Sequence, residues 1–305
     1  MCTDWRWGVR DDDSFACRTA AHCMIQHSAL PNRRSKRSAM PGFHLSLGIT
    51  IAWLSLIVLI PLSAVFLKSA GAGWDTFWLA AGSPRAIAAY RLSFGAALLA
   101  AAINLVFGLV IAWVLVRYRF PGRRLLSALI DLPFALPTAV AGIALTALYA
   151  ESGLIGRFLA TADLKVAYTP VGVIVALVFV GLPFIVRTIE PVLAQLSKET
   201  EEAAVTLGAT RRQTFARVIL PAILPALATG FALAFARGAG EYGSVIFIAG
   251  NLPYVSEIAP LLIITQLEEY DYVGATSIAV VMLVLSFCIL FLLNALQLWQ
   301  RNRGA

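Results

Sequence analysis

Six apolar stretches, each about 20 residues or longer and rich in Leu, Ala and Ile, constrain this chain more than any other feature. A bilayer's hydrocarbon core is about 30 Å thick, and a helix rising 1.5 Å per residue crosses it in about 20 residues. The stretches run from Leu45 to Leu67, Leu92 to Val116, Leu125 to Tyr149, Val171 to Ile189, Ala222 to Ile248 and Val273 to Trp299. None alternates apolar and polar residues with the period of two that membrane strands require, which excludes a β-barrel. Of 305 residues, 59% are hydrophobic and only 13% charged, and the mean hydropathy of +0.80 excludes an ordinary soluble domain. The expected fold is therefore all-α and integral to the membrane, with about six spans.

Lys and Arg are retained on the cytoplasmic side of a bilayer, so their distribution gives the orientation. Arg33, Arg34, Lys36 and Arg37 precede the first span, and Arg117, Arg119, Arg123 and Arg124 separate the second from the third. Arg187 at the very end of the fourth, and Lys198, Arg211, Arg212 and Arg217 between it and the fifth, fall on the same side, and Arg301 and Arg303 follow the sixth. The alternate loops hold Lys68, Arg85, Arg91, Arg157 and Lys165, a ratio of fifteen to five. Both termini are thus expected in the cytoplasm. The net charge of +7 is mostly this topology signal, so no nucleic-acid partner is inferred from it.

Residues 1–40 show no periodicity, combine Asp11, Asp12 and Asp13 with scattered Trp, Cys and His, and are too polar for the core of a secretory signal. They are expected to be disordered or a mis-assigned extension, with Met24 or Met40 as the natural start. The permease domain is then expected over residues 41–305. Cys17, His22, Cys23 and His27 match no zinc spacing, so no metal site is expected. Cys288 lies within an apolar run, where it packs as a small hydrophobe.

The cytoplasmic loop 190–221 carries the strongest local punctuation. Good helix formers from Lys198 to Leu207 end at Gly208, which suits a left-handed C-cap. Thr210 with Gln213 three residues on forms a capping box, predicting a second helix to about Leu220, with Pro221 at the junction with span five. A helix, a tight reversal and a second helix make a rigid knob on the cytoplasmic face.

Glu202, Ala203, Ala204, Gly208, Val218, Leu220 and Pro221 resemble the EAA signature of binding-protein-dependent ABC importer permeases, with Val218 where the family usually has Ile. The run from Ala232 to Phe287, and MPGFHLSLG near the start, resemble the T-subunit branch of the sulfate/thiosulfate permeases. Molybdate permeases share the earlier part of that run but diverge through Asn251 to Gly274. The resemblance implies a type I ABC importer permease in the bacterial inner membrane, importing sulfate or thiosulfate. It implies that Glu202, Ala203, Ala204, Gly208, Leu220 and Pro221 form the loop that couples to the ATPase. It also implies the partners: a homologous W permease subunit, two copies of an ATPase, and a periplasmic sulfate- or thiosulfate-binding protein. A molybdate or other oxyanion permease is the alternative within the family.

Arg237 and Glu241, four residues apart in the fifth stretch, admit two readings: a structural pair, or a pathway lining in which Arg237 offers a donor to a dianion. Asn104, Thr138 and Ser244 are further candidate donors along a route that must replace water around sulfate. Asp131, Pro133 and Pro137 mark an irregular region in the third stretch, a pathway lining or a simple kink. Four acids, Glu257, Glu268, Glu269 and Asp271, fall in an outer loop without Lys or Arg, a docking surface or a solvated loop. Gly238, Gly240 and Gly243 spell a dinucleotide fingerprint, but they are expected within the fifth membrane helix instead of after a strand, and are read as residues that let neighbouring backbones approach.

No HExxH or GxSxG occurs, and all three histidines precede the core of span one, so no catalytic residue is assigned and the chain is read as a transport subunit. A GxxxxGK[ST] loop is also missing, so ATP and Mg are expected at a separate ATPase and no cofactor on this chain. An ion-coupled secondary carrier would need several mid-membrane carboxylates and internal repeats; Asp131 and Glu241 alone fit the first requirement.

Overall fold

The computed structural model describes residues 43–303, and every regular element among them is helical. The expectations for residues 1–40, including the start site and the Cys and His residues there, lie outside the described residues. The chain divides into two compact units at Leu59. Within the first, α1 (Phe43–Leu54) continues into a π-helical turn (Ser55–Leu59), and Leu45, Ile49, Trp53 and Leu56 are exposed. A helix that is apolar all round belongs in lipid.

The second unit contains α2 (Ile60–Gly71), α3 (Trp74–Ala81), α4 (Pro84–Arg117), α5 (Arg123–Ala135), α6 (Thr138–Tyr149), α7 (Leu154–Ala160) and α8 (Pro170–Gln195). After these come α9 (Lys198–Thr206), α10 (Arg211–Thr214), a π turn (Phe215–Ile219), α11 (Leu220–Ala239), α12 (Val245–Ala249), α13 (Ala259–Glu268) and α14 (Tyr272–Arg303). Among the described residues five helical stretches are long and apolar enough to cross a membrane, and the pair α5 and α6 makes a sixth if counted as one broken span.

The core is built by α4, α8 and α11. In lipid, helices gain little by hiding apolar surface, so close van der Waals contact through small residues drives their association. α4 supplies Ala96, Ala97, Ala100 and Ala101 to that contact, against Val173, Ala176 and Leu177 of α8 and Ala234 and Phe235 of α11. Gly108 permits the closest approach, since a Cβ there would lie 2.7 Å from Ile185 Cγ2. α14 is mostly unburied along its apolar window, as expected of a helix facing lipid.

Four boundaries depart from the hydropathy reading. α8 runs on to Gln195, six residues past the expected Ile189 and into the expected coupling loop 190–221. α4 begins at Pro84, eight residues before the expected Leu92, because Ser83 caps it by accepting from Ala86 N–H at 3.2 Å and Pro84 is pre-set for a first turn. The third stretch bends by 115° between α5 and α6, at Leu136 and Pro137. The fifth, expected to Ile248, ends as a helix at Ala239; the glycines at 240 and 243 are apolar to a hydropathy scale but poor helix formers.

Candidate functional site

The knob formed by α9 and α10 is specified by local hydrogen bonds. Past the end of α9, Gly208 adopts φ +83 and donates its N–H to Val205 at 2.9 Å, while Ala209 N–H reaches the Ala204 carbonyl at 3.1 Å. These two bonds are the Schellman pattern that ends a helix at a left-handed residue. Thr210 then starts α10: its N–H donates to Gln213 Oε1 at 2.8 Å, and Gln213 N–H donates to Thr210 Oγ1 at 3.4 Å. The second helix does not stop near Leu220. It passes through the π turn Phe215–Ile219 directly into α11, giving a helical stretch Arg211–Ala239 with Leu220 and Pro221 in its course. Pro221 has no N–H to donate, and the wider π turn just before it lets the ladder shift register there.

Glu202, Ala203 and Gly208 are exposed and Ala204 is half-buried. Leu207, at 88% exposure, projects beside them. On its other side the knob meets the end of α4. Glu201 accepts a hydrogen bond from Arg117 Nη2, the guanidinium of Arg117 lies 5.4 Å from the Trp113 ring centre, and Trp113 meets Phe215 edge-on at 5.9 Å. Between these groups and Val205, Arg211 and Ile219 opens an apolar groove of about 580 Å³.

Arg237, Glu241, Ser244 and Thr138 come together where α11 ends and α6 begins. Glu241 is past the end of α11, so the pair is not two residues on one helical face as the spacing predicts; it spans the break. Its carboxylate, only 2% exposed, accepts from Arg237 Nη1, from Ser244 N–H at 2.9 Å and from Ser244 Oγ at 2.8 Å. Glycines bring the two backbones into contact: a Cβ on Gly142 would sit 2.4 Å from the Ser244 carbonyl oxygen, and one on Gly243 2.2 Å from Thr138 Oγ1. Asn104 is elsewhere. Fully buried between α4 and α8, it donates to the Val178 carbonyl at 2.9 Å, and its Oδ1 has no partner. That placement favours helix packing over pathway lining for Asn104.

Two charged clusters escape sequence reasoning. Arg187 of α8 donates from Nε to Asp131 Oδ1 at 2.8 Å, from Nη2 to Asp131 Oδ2 and to Ser127 Oγ at 2.8 Å, and from Nη1 to Glu190 at 2.5 Å. It thereby clamps α5, the first half of the broken span, to α8. At the other end of the fold Arg85 grips Glu257 with two bonds, Nε to Oε2 at 2.8 Å and Nη2 to Oε1 at 2.7 Å. Glu257 is 2% exposed, so it does not belong to an acidic docking surface; Glu268, Glu269 and Asp271 stay exposed. The available signal was an ion in or beside each apolar stretch, which demands a partner but does not name one.

Residues 104–303 match the family of binding-protein-dependent transport system inner membrane components. The chain belongs to this family. It is 51% identical over 263 residues, 86% of this chain and 95% of the relative, to the sulfate transport system permease protein CysT of Salmonella typhimurium. A protein of the same name from Synechococcus elongatus is 54% identical over 250 residues, covering 82% of this chain and 90% of that one. Among solved structures, a bacterial ABC transporter involved in the import of alginate aligns with TM-score 0.68 at 17% identity, over 83% of this chain and 94% of its own. The methionine transporter MetNI aligns with TM-score 0.54 at 18% identity, over 70% and 95%. The fold is that of type I ABC importer permeases, and this family member is a multi-pass transport subunit, not an enzyme.

Proposed function

We propose that this chain is a membrane-spanning subunit of an ATP-driven importer that moves sulfate or thiosulfate across a bacterial inner membrane into the cytoplasm. The observation that carries the reading is identity of about half over nearly the full length of permeases named for sulfate transport. Its partners are a homologous W permease subunit, two copies of an ATPase, and a periplasmic protein that delivers the anion. ATP and Mg bind at the ATPase, and this chain holds no cofactor of its own.

The exposed knob supports docking to the ATPase through Glu202, Ala203, Ala204 and Gly208, with Leu220 and Pro221 leading into α11. Small Ala side chains let another helix approach closely, and the reversal at Gly208 presents α9 as a compact projection. Closure of the ATPase dimer then shifts the membrane helices between inward-open and outward-open packings, a population shift driven by ATP binding preferentially to one of them. Arg237 and Thr138, gathered at the α6–α11 junction, offer donors to an anion that has lost part of its water; Ser244 is fully buried and gives both its N–H and its hydroxyl to Glu241, so it holds that carboxylate instead of lining a pathway. Radiolabelled sulfate uptake in cells lacking this gene, with and without an intact copy, tests the reading. Restored uptake that thiosulfate blocks and molybdate does not supports it. Dependence of molybdate uptake on the gene would move the chain to another oxyanion branch of the same family.

A further inference from the structure

We infer that α4 is the rod through which this chain links its cytoplasmic knob to its outer loop, with Arg117–Glu201 as the inner joint and Arg85–Glu257 as the outer one. The inference rests on the proposed function for its mechanical context. α4 runs unbroken for 34 residues, and Arg85 and Arg117 stand about 48 Å apart along it at 1.5 Å per residue, more than the bilayer's hydrocarbon thickness. Of the three core helices it alone has no proline in its interior: α8 contains Pro183 and Pro191, and α11 contains Pro225 and follows a π turn. Without an interior proline α4 keeps its backbone hydrogen-bond ladder unbroken, which suits it to act as a rod.

Each end is held by a fixed guanidinium. The second helix of the knob is held by Thr214 and Ile219, which are buried, but no residue of α9 is, and among the described residues Arg117–Glu201 is the ion pair that joins α9 to a membrane helix. Arg117 keeps only 11% of its side chain exposed, stacked on Trp113, which in turn meets Phe215 at the entrance to α11. Its position at the C-terminus of α4 suits a cation. Nε of Arg117 is buried without a partner, so the guanidinium meets Glu201 through Nη2. At the other end, Arg85 holds Glu257 through both carboxylate oxygens, and Glu257 anchors the loop between α12 and α13. Neither joint touches the candidate anion donors. Arg117, Glu201, Arg85 and Glu257 are therefore positioning residues, acting through α4.

The test uses the full complex in proteoliposomes. A fluorophore is attached at Tyr254→Cys, an exposed outer-loop position, in a background whose four native cysteines are replaced by alanine. Addition of a non-hydrolysable ATP analogue on the cytoplasmic side is expected to change the label's emission in the parent. Arg117→Ala and Glu201→Ala are each expected to cut that response, and the sulfate moved per ATP hydrolysed, by at least about fivefold in assembled complexes. The charge swap of Arg117→Glu with Glu201→Arg is expected to restore most of both. Should an alanine variant fail to assemble, Glu201→Gln, which keeps the shape and removes the charge, takes its place. Full responses in the single variants, a swap no better than the singles, or a parent label blind to ATP would each overturn the rod. A parent that responds to ATP but moves no sulfate would remove the substrate assignment and leave the rod standing.

Discussion

Removing Glu257 isolates the energetic weight of the outer joint. Its carboxylate is 2% exposed and receives two charge-assisted hydrogen bonds, at 2.8 and 2.7 Å, from an Arg85 side chain that is 28% exposed. Breaking a buried pair by deleting one partner costs about 3–5 kcal/mol, because the remaining charge stays in a poor solvent. Here water reaches part of the arginine, which lowers the expected loss for Glu257→Ala to about 2–4 kcal/mol, a factor of about 30 to 1000 in the folding equilibrium. Replacing both residues by alanine leaves no orphaned charge, so the double variant is expected to lose less than the sum of the singles by about 1–3 kcal/mol. Unfolding titrations of the purified chain in mixed detergent micelles, carried through the four-member cycle, measure both quantities. The reasoning fails if Glu257→Ala stays within about 0.5 kcal/mol of the parent, the range of an ordinary surface substitution. A docking role predicts the opposite pattern, intact stability with weakened binding of the periplasmic protein.

Gly208→Val is expected to abolish transport while leaving the amount of inserted protein unchanged. Nothing lies within 4 Å of a Cβ there, so the whole penalty, at least about 1–2 kcal/mol, comes from a β-branched residue at φ +83; Gly208→Asn should retain activity. Arg237→Ala should lower uptake per inserted molecule if the arginine meets the anion, and should also lower protein level because Glu241, 2% exposed, keeps only its two bonds from Ser244; a fall in protein level alone would make the pair structural. Gly142→Ala forces the Ser244 backbone away from a Cβ at 2.4 Å and should cost about 1–3 kcal/mol, read as a lower unfolding midpoint in detergent.

The knob was legible because its signals are local. Gly208, Thr210 and Gln213 lie within six residues, and the bonds that define the reversal join neighbours in the chain. The broken third span was half legible: Pro133 and Pro137 announced an irregularity, but Pro133 is accommodated inside α5 and the 115° turn falls at Leu136 and Pro137. The end of α11 was hidden, since a hydropathy window averages across Glu241 and Ser244 to Ile248 although the backbone leaves the helix at Gly240 and resumes one only at Val245. The long-range ion pairs were hidden for a different reason. Arg85 and Glu257 are 172 positions apart and Arg187 and Asp131 are 56 apart, and one sequence without its relatives carries no record of such pairing.

The placement of those pairs follows from the solvent. A charge in the middle of a bilayer is expensive, whereas one near a helix end can keep water or a loop carboxylate as its partner. α4 obeys this division: Arg85 and Arg117 occupy its ends, while its middle is Ala96 to Ala101, Asn104 and Gly108, with Asn104 spending its amide on a neighbouring carbonyl. Small residues bring the middle of α4 close against α8 and α11, while its terminal arginines pair with a carboxylate of the loop at each end, the arrangement the proposed rod requires. A permease that must alternate between two packings needs both properties. A charged pair at mid-span would resist repacking, and a rod without terminal pairs would move without informing either loop.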